Sequence, residues 1–185
     1  MSKIILVTGG ARSGKSSYGE KLLKKLDGKK GYIATAVAFD DGMKNRIKKH
    51  KAMRPDKWKT YELHYNISNH IEKISKKCDS LILDCITVFI SNIFYKENIN
   101  WDKISNDEID ILERKISKEI ELIIKKTKQY NLNLIIITNE IGSGIVPANK
   151  HTRVYRDIVG RINQNIARLS NKAYTCISGI PIQLK

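Results

Sequence analysis

Residues 4–16 read IILVTGGARSGKS, an apolar run that passes directly into a glycine-rich stretch. The final eight of these residues match G-x-x-x-x-G-K-[ST] at every defined position, after a predicted strand and before a predicted helix. In such a loop the glycines let backbone N–H groups surround a phosphate, the lysine reaches the β and γ oxygens, and the hydroxyl faces Mg²⁺. The alternative, a glycine-rich turn before an ordinary helix, is disfavoured because pattern and context agree. The residues predicted to bind a triphosphate are Gly9, Gly10, Ala11, Arg12, Ser13, Gly14, Lys15 and Ser16.

Short β-branched runs alternate with segments of helical period along the rest of the chain. Strands are predicted over 4–8, 31–35, 81–86, 134–138 and 173–178. Most are apolar on both faces, which is typical of a parallel sheet covered by helices on both sides. Ser105 and Glu108 form a capping-box pattern before apolar residues at steps of three and four, and a second amphipathic helix runs from near Thr152 towards Leu169. The sequence predicts an α/β fold with a mainly parallel sheet, helices on both faces and a C-terminal edge strand within 179–185.

Composition limits the classes of protein that are possible. The chain has 185 residues, and its 34 Lys and Arg outnumber 19 Asp and Glu, so the net charge is +15. No repeat or Pro/Gly-rich linker divides it, so we predict a single domain over residues 1–185. The longest apolar stretch, 81–95, is interrupted by polar residues and is too short to span a bilayer, and no signal peptide is recognised. Three cysteines without C-x-x-C spacing predict reduced packing residues and a cytoplasmic protein.

Asp84 is the second predicted element of the triphosphate site. It ends the apolar run 81–84, where P-loop proteins place a carboxylate that holds Mg²⁺ directly or through water. Ser16 and Asp84 are therefore the predicted Mg²⁺ ligands. The alternative is an aspartate that caps a helix opening near Thr87. The P-loop upstream favours the Mg²⁺ role.

A basic segment with a histidine follows the second predicted strand. Residues 40–54 read DDGMKNRIKKHKAMR and predict a helix that ends before Pro55. Three interpretations stay open, namely a solvated basic face, a contact to a nucleic-acid backbone, or a chemical role for His50 among phosphate-binding cations. Crowding by cations lowers the pKa of an imidazole and favours its neutral form, which is able to attack phosphorus.

Ordered motifs along nearly the whole chain resemble the bifunctional adenosylcobinamide kinase/adenosylcobinamide-phosphate guanylyltransferase family. The motifs are GGARSGKS at 9–16, YIATA at 32–36, Arg46-Ile47 with His50, Arg54-Pro55 with Trp58 and Glu62, DCIT at 84–87, TNEIG at 138–142, GIVP at 144–147, and Arg156-Asp157 with Gly160, Asn163 and Gln164. The resemblance implies a RecA-like P-loop enzyme that is cytoplasmic and trimeric. It implies two reactions, phosphorylation of adenosylcobinamide by GTP or ATP and then transfer of GMP from GTP to adenosylcobinamide phosphate, which releases pyrophosphate.

The resemblance also implies roles for individual residues. His50 corresponds to the histidine that forms a GMP adduct, and Lys15 acts with it in catalysis. Nucleotide-binding positions beyond the P-loop are Ala34, Thr35, Ala36, Lys51, Ala52, Met53, Arg54, Glu62 and Asp84. The chain departs from some relatives at Lys49, where a second histidine is absent, and at Ala36, where relatives often carry a hydroxyl.

Two rival functions fit parts of the sequence. A RecA-like nucleic-acid-dependent ATPase is compatible with the charge, but only 7% of the residues are aromatic and no aromatic-basic run is present to stack bases. A simple small-molecule P-loop kinase is distinguished by the absence of a GMP-protein adduct. We therefore expect adenosylcobinamide, its phosphate and nucleoside triphosphates as partners, and no nucleic acid.

Overall fold

A parallel sheet organises the part of the chain that the computed structural model describes, which is residues 2–38, 41, 42, 44, 55, 57–101 and 103–185. Its strands are β1 (Ile4–Gly9), β2 (Lys30–Ala34), β3 (Lys59–Glu62), β4 (Ser80–Asp84), β5 (Asn133–Ile137), β6 (Lys172–Ile177) and β7 (Ile180–Gln183). The helices described are α1 (Lys15–Lys25), α2 (Ile71–Ser75), which follows a 3-10 turn at Ile67–His70, α3 (Ile86–Lys96), α4 (Asn106–Gln129) and α5 (Lys150–Leu169). None of these helices is both long enough and apolar enough to cross a membrane.

The strand order is β3-β2-β4-β5-β1-β6-β7. Strands β1 to β6 pair in parallel, and β7 pairs antiparallel with β6. The mainly parallel sheet and the C-terminal edge strand are thus confirmed. In a parallel sheet all carboxyl ends meet at one edge, so the loops after β1, β2, β3 and β4 are brought together there.

Both faces of the central strands β1, β4 and β5 are buried. Ile4 and Leu6 belong to a core cluster that includes side chains of α3, α4 and α5, whereas Ile5 and Val7 belong to a second cluster with Leu23 of α1. Successive side chains of a strand point to opposite faces, so this division places helices on both sides of the sheet. Each fully buried isoleucine contributes about 1.5–3 kcal/mol, which makes these two layers the main source of stability.

The two long helices follow the predicted periodicity. Helix α4 begins with the predicted capping box, in which Ser105 and Glu108 exchange hydrogen bonds, and it buries the stripe Leu112, Ile116, Ile120 and Ile123. Helix α5 begins two residues earlier than predicted, because the Asn149 side chain accepts a hydrogen bond from the Thr152 N–H at 3.2 Å and caps the helix.

Strand β3 and the end of β4 differ from the sequence prediction, and the predicted basic helix is described only in part. Strand β3 was not predicted, because its sequence KTYE lacks an apolar pattern and it pairs only with β2 at the sheet edge. Strand β4 ends at Asp84 rather than 86, and the next helix begins at Ile86 after an extended Cys85. Of the predicted basic helix over 40–54, positions 41, 42 and 44 are described and are helical, and the rest lies outside the described residues.

Candidate active site

The loop between β1 and α1 presents a phosphate-sized cradle. The Gly9 oxygen accepts from the Glu140 N–H at 3.1 Å, and the Ser13 oxygen accepts from the Gly179 N–H at 3.0 Å. The Gly10 oxygen accepts from the Lys15 ammonium at 3.0 Å. In loops of this motif, successive backbone N–H groups that turn toward one point form a concave site for an anion. Helix α1 begins at this point, so its positive end also faces the cradle.

Two of the glycines are required by space and by backbone conformation. A Cβ at Gly9 would lie 2.5 Å from Ser13 Oγ and 2.6 Å from the Cys176 oxygen, and its φ is +152°. Gly14 caps α1 with φ 89°, in the left-handed region, and a Cβ there would lie 3.1 Å from the Gly179 Cα. The loop is therefore closed against β6 and the turn after it, and larger residues at either position distort it.

In the described part of the chain, the buried Ser13 hydroxyl has no hydrogen-bond partner. Ser13 is 7% exposed, and the Lys15 side chain that shares the loop is also buried. Burial of an unsatisfied hydroxyl costs about 1–3 kcal/mol, a cost that a bound phosphate oxygen removes. This observation fits the predicted binding of a phosphate chain by residues 9–16.

The turn between β6 and β7 supports the loop from outside, which the sequence did not predict. Ile177 pairs with Ile180, so Ser178 and Gly179 form a two-residue turn. Both have positive φ, 51° and 84°, the conformation of a type I′ hairpin turn. The signal was the Ser-Gly pair between alternating isoleucines, which indicated a hairpin but not its contact with the P-loop.

Asp84 lies at the carboxyl end of β4, at the same edge of the sheet as the P-loop. The buried Tyr32 hydroxyl donates a hydrogen bond to its Oδ2, and the side chain is half-buried. Burial, followed by the Asp84 carboxylate, raises the pKa of the Cys85 thiol to about 11, and the Lys15 ammonium opposes that rise. The capping alternative for Asp84 is not what the structure shows, because the N-cap of α3 is Cys85.

Thr35, one of the predicted nucleotide-binding residues, uses its side chain inside the protein. It is fully buried, and its Oγ1 donates to the Cys85 oxygen and accepts from the Cys85 N–H, both at 2.9 Å. Its own carbonyl accepts from Asn92 Nδ2 at 2.7 Å. Thr35 therefore fixes the chain that carries Asp84, while the half-buried Ala34 and Ala36 lie on the other side of the extended backbone.

Glu62, Ala34 and Asp84 are neighbours across three strands. Ala34 pairs with Glu62 on one side and with Asp84 on the other. Neighbouring strands are about 4.8 Å apart, so the two carboxylates belong to one edge about 10 Å wide, with the small Ala34 between them. Glu62 is exposed there. The structure thus brings Glu62, Ala34 and Asp84 to the same edge as the P-loop.

A polar network beside the P-loop joins residues of the DCIT and TNEIG motifs to Asn163, and its contacts were not predicted from the sequence. Asn139 Nδ2 donates to Thr87 Oγ1 at 2.8 Å, and the Asn139 oxygen accepts from Asn163 Nδ2 at 3.0 Å. The Thr138 hydroxyl donates to Asn163 Oδ1 at 2.8 Å. This network joins the ends of β5 and α3 to the middle of α5. Polar residues at the end of the apolar strand β5 were the signal in the sequence for a polar site. Their contact with Asn163 could not be predicted, because Asn163 lies in a helix far along the chain.

The remaining predicted residues are not covered by the structure. His50 and the predicted nucleotide-binding residues Lys51, Ala52, Met53 and Arg54 lie outside the described residues. Their roles stay predictions.

The oxygen ligands predicted for Mg²⁺ fit that ion chemically. Mg²⁺ prefers oxygen ligands and commonly takes one or two from protein, with the remainder from water and substrate phosphates. Ser16 offers a half-buried hydroxyl in the first turn of α1, and Asp84 offers a carboxylate at the same sheet edge.

These features define a P-loop protein with a RecA-like sheet, whose phosphate-binding motif lies at the carboxyl edge. A solved structure of a KaiC-like protein from Pyrococcus horikoshii OT3 has the same fold, with a TM-score of 0.50 over 94% of this chain and 70% of that chain, at 10% identity. The family model CobU, described as cobinamide kinase / cobinamide phosphate guanyltransferase, matches residues 5–184. The chain belongs to this family, so the predicted resemblance is confirmed.

Curated relatives match over nearly their whole length. The bifunctional adenosylcobalamin biosynthesis protein CobU of Salmonella typhimurium is 36% identical, and the match covers 98% of this chain and 99% of the relative. CobU of Escherichia coli is 34% identical over the same shares. The bifunctional adenosylcobalamin biosynthesis protein CobP of Pseudomonas aeruginosa is 29% identical over 97% of this chain and 96% of the relative.

Proposed function

We propose that this protein phosphorylates adenosylcobinamide with a nucleoside triphosphate and then transfers GMP from GTP to adenosylcobinamide phosphate. One observation carries the proposal: in this chain of the CobU family, a complete P-loop and Asp84 lie at the same edge of the sheet. That edge supports binding of the triphosphate with its phosphate chain held along residues 9–16. Glu62, on the far side of Ala34, is the carboxylate that we expect to meet the ribose or the guanine edge.

In the kinase step, residues of the P-loop hold and orient the phosphate chain. Lys15 neutralises the β and γ oxygens, and the N–H groups of the loop and of α1 bind the remaining oxygens. Ser16 and Asp84 hold Mg²⁺, which when bound offsets phosphate charge. The substrate hydroxyl attacks the γ-phosphorus, so one P–O bond forms, the bond to the nucleoside diphosphate breaks, and the hydroxyl proton leaves to solvent or a base.

In the guanylyl step, His50 acts as the nucleophile. A neutral ring nitrogen attacks the α-phosphorus of GTP, which forms an N–P bond, breaks the P–O bond to the β-phosphate and releases pyrophosphate. A phosphate oxygen of adenosylcobinamide phosphate then displaces the imidazole to give adenosylcobinamide-GDP. Lys51 and Arg54 offset charge on the transferring group. The family's motif around His50 supports this assignment.

Labelled nucleotide separates the two steps. We expect α-labelled GTP to leave an acid-labile label on the wild-type protein and none on the His50→Ala variant. The γ-label should reach adenosylcobinamide in His50→Ala but not in Lys15→Ala, because Lys15 serves the phosphate chain in both reactions. Equal protein labelling of wild type and His50→Ala overturns the role of His50, and a wild-type protein that transfers γ-phosphate without any adduct identifies the simple kinase instead.

We also propose a trimer, a cytoplasmic location, Mg²⁺ as the metal and the absence of a nucleic-acid partner. The free, buried state of Cys78, Cys85 and Cys176 supports a reducing compartment. Exposed Ile177, Ile180 and Leu184 of the C-terminal hairpin supply apolar surface for a subunit contact. Light scattering after size exclusion tests the trimer, and a monomer across micromolar concentrations contradicts it.

A further inference from the structure

A cavity at the end of the sheet opposite the P-loop is lined by lysines. Its volume is about 580 Å³, and six of its lining residues are Lys24, Lys29, Lys30, Lys57, Lys59 and Lys77. Lys30 and Lys59 are the first residues of β2 and β3, and Lys24 lies in the last turn of α1. These are amino ends of parallel strands, so about 17 Å of strand separates the cavity from the edge that holds Asp84.

The lining differs in charge from that of three other cavities in the described part of the chain. Those contain glutamates beside their lysines, such as Glu97 with Lys103, Glu119 with Lys118, and Glu121 with Lys125. The lysine-lined cavity has no carboxylate among its described lining residues. The Asp79 carboxylate lies next to this lining, because its Oδ2 accepts from the Lys29 backbone N–H at 2.7 Å and a Cβ at Gly28 would lie 2.4 Å from it, so one negative charge stands beside the six lysines. None of the six lysines has a carboxylate within ion-pair distance in the part of the chain that is described.

We propose that this lysine cavity binds a condensed phosphate anion, either free polyphosphate or the phosphate tail of a nucleotide. The six positive charges around this concave space repel each other. A multivalent anion bound at its centre attracts all six and so offsets their mutual repulsion. The space has the size of a small-ligand site rather than of a long groove that follows a polynucleotide. Trp58 also lines it but is 8% exposed, so it offers no open ring on which a base stacks.

Binding of inorganic tripolyphosphate tests the site. The titration uses Lys15→Ala protein at fixed ionic strength, so that the P-loop does not contribute, and we expect one site to remain. The triple substitution Lys29→Gln, Lys57→Gln and Lys59→Gln in that background should weaken binding at least about tenfold, because half of the six charges are lost. The matched control is Lys118→Gln, Lys125→Gln and Lys128→Gln, which removes three exposed lysines around a different cavity and should change binding less than about twofold.

Several outcomes overturn the proposal. Complete loss of binding in Lys15→Ala alone assigns the anion to the P-loop, and equal weakening in the two triple variants assigns it to diffuse charge. A single-stranded oligonucleotide is tested in the same way. If it binds more tightly than tripolyphosphate and is weakened equally by the first triple substitution, the ligand of the cavity is a polynucleotide and not a small anion. Displacement of tripolyphosphate by GTP identifies the nucleotide tail as the source, and binding without displacement identifies free polyphosphate. Thermal unfolding checks that each variant is folded. If the triple variant is not folded, the single Lys57→Gln variant is used in its place.

Discussion

At the scale of single residues, the Thr35 hydroxyl holds the backbone of Cys85, the residue that follows Asp84. Thr35→Val keeps the shape of the side chain but leaves the Cys85 N–H and oxygen without their 2.9 Å partners. We expect the free energy of unfolding to fall by about 1–3 kcal/mol, the cost of unsatisfied buried groups. Denaturant unfolding measures this change. Thr35→Ser, which retains the hydroxyl, should recover most of it, and equal losses in the two variants contradict the hydrogen-bonding role.

Tyr32 is expected to orient the Asp84 carboxylate. Tyr32→Phe removes the hydroxyl that donates to Asp84 Oδ2 but preserves the buried ring. We expect the rate of γ-phosphoryl transfer to fall by about tenfold, less than in Asp84→Asn, because the charge remains while its orientation loosens. Steady-state kinetics at several Mg²⁺ concentrations test this. A Tyr32→Phe enzyme with unchanged kcat and KM shows that the hydrogen bond does not serve the site.

Cys85 predicts a pH dependence of stability. Burial and Asp84 raise the pKa of its thiol from 9.0 to about 11, so between these values only the unfolded chain ionises. The free energy of unfolding therefore declines from about pH 9 to pH 11, by at most about 2–3 kcal/mol from this group. Cys85→Ala should show a shallower decline, measured by urea unfolding at each pH. Ionising tyrosines are present in both proteins, so the difference between their unfolding free energies reports on Cys85 alone. If the two curves of unfolding free energy against pH run parallel, the raised pKa of Cys85 is contradicted.

At the scale of elements, we predict that nucleotide binding depends on the turn between β6 and β7. Gly179 donates to Ser13 and needs a φ of 84°. Gly179→Val strains the backbone by about 1–2 kcal/mol and should weaken GTP binding about tenfold. Gly179→Asn, whose side chain tolerates the left-handed region, should bind GTP within about threefold of wild type. Calorimetric titration distinguishes them, and equal affinities of wild type and Gly179→Val disprove the link.

Patterns that are local in sequence predicted most elements correctly. The apolar runs of β1, β4 and β5 and the stripe of α4 carry their own signal, because burial on both faces or on one face imposes a fixed spacing. Strand β3 carries none, since an exposed edge strand needs no apolar face. The partners of Asp84 were also hidden, because Tyr32 and Thr35 meet it only through the register between β2 and β4. The P-loop itself was predictable because its chemistry fixes residue types at fixed positions.

At the scale of the whole molecule, lysines lie at both ends of the sheet. Lys15 serves the carboxyl edge, where the triphosphate is proposed to bind, and the six lysines of the lysine cavity occupy the amino edge. Other lysines pair with acids on exposed helix surfaces, as Lys76 does with Glu72. Pairs of this kind contribute only about 0–1 kcal/mol, so they do not offset the repulsion that a large net charge creates.

The net charge of +15 predicts that salt stabilises the protein. Raising NaCl from about 20 to 200 mM shortens the Debye length from more than 20 Å to less than 10 Å and screens the repulsion between lysines. We expect Tm to rise by about 2–4 °C, which corresponds to about 1 kcal/mol for a chain of this size. The variant Lys118→Gln, Lys125→Gln and Lys128→Gln lowers the net charge from +15 to +12 and should show a smaller rise. Differential scanning calorimetry measures both slopes. A Tm that falls with salt means that attractive ion pairs outweigh the repulsion, which contradicts the prediction.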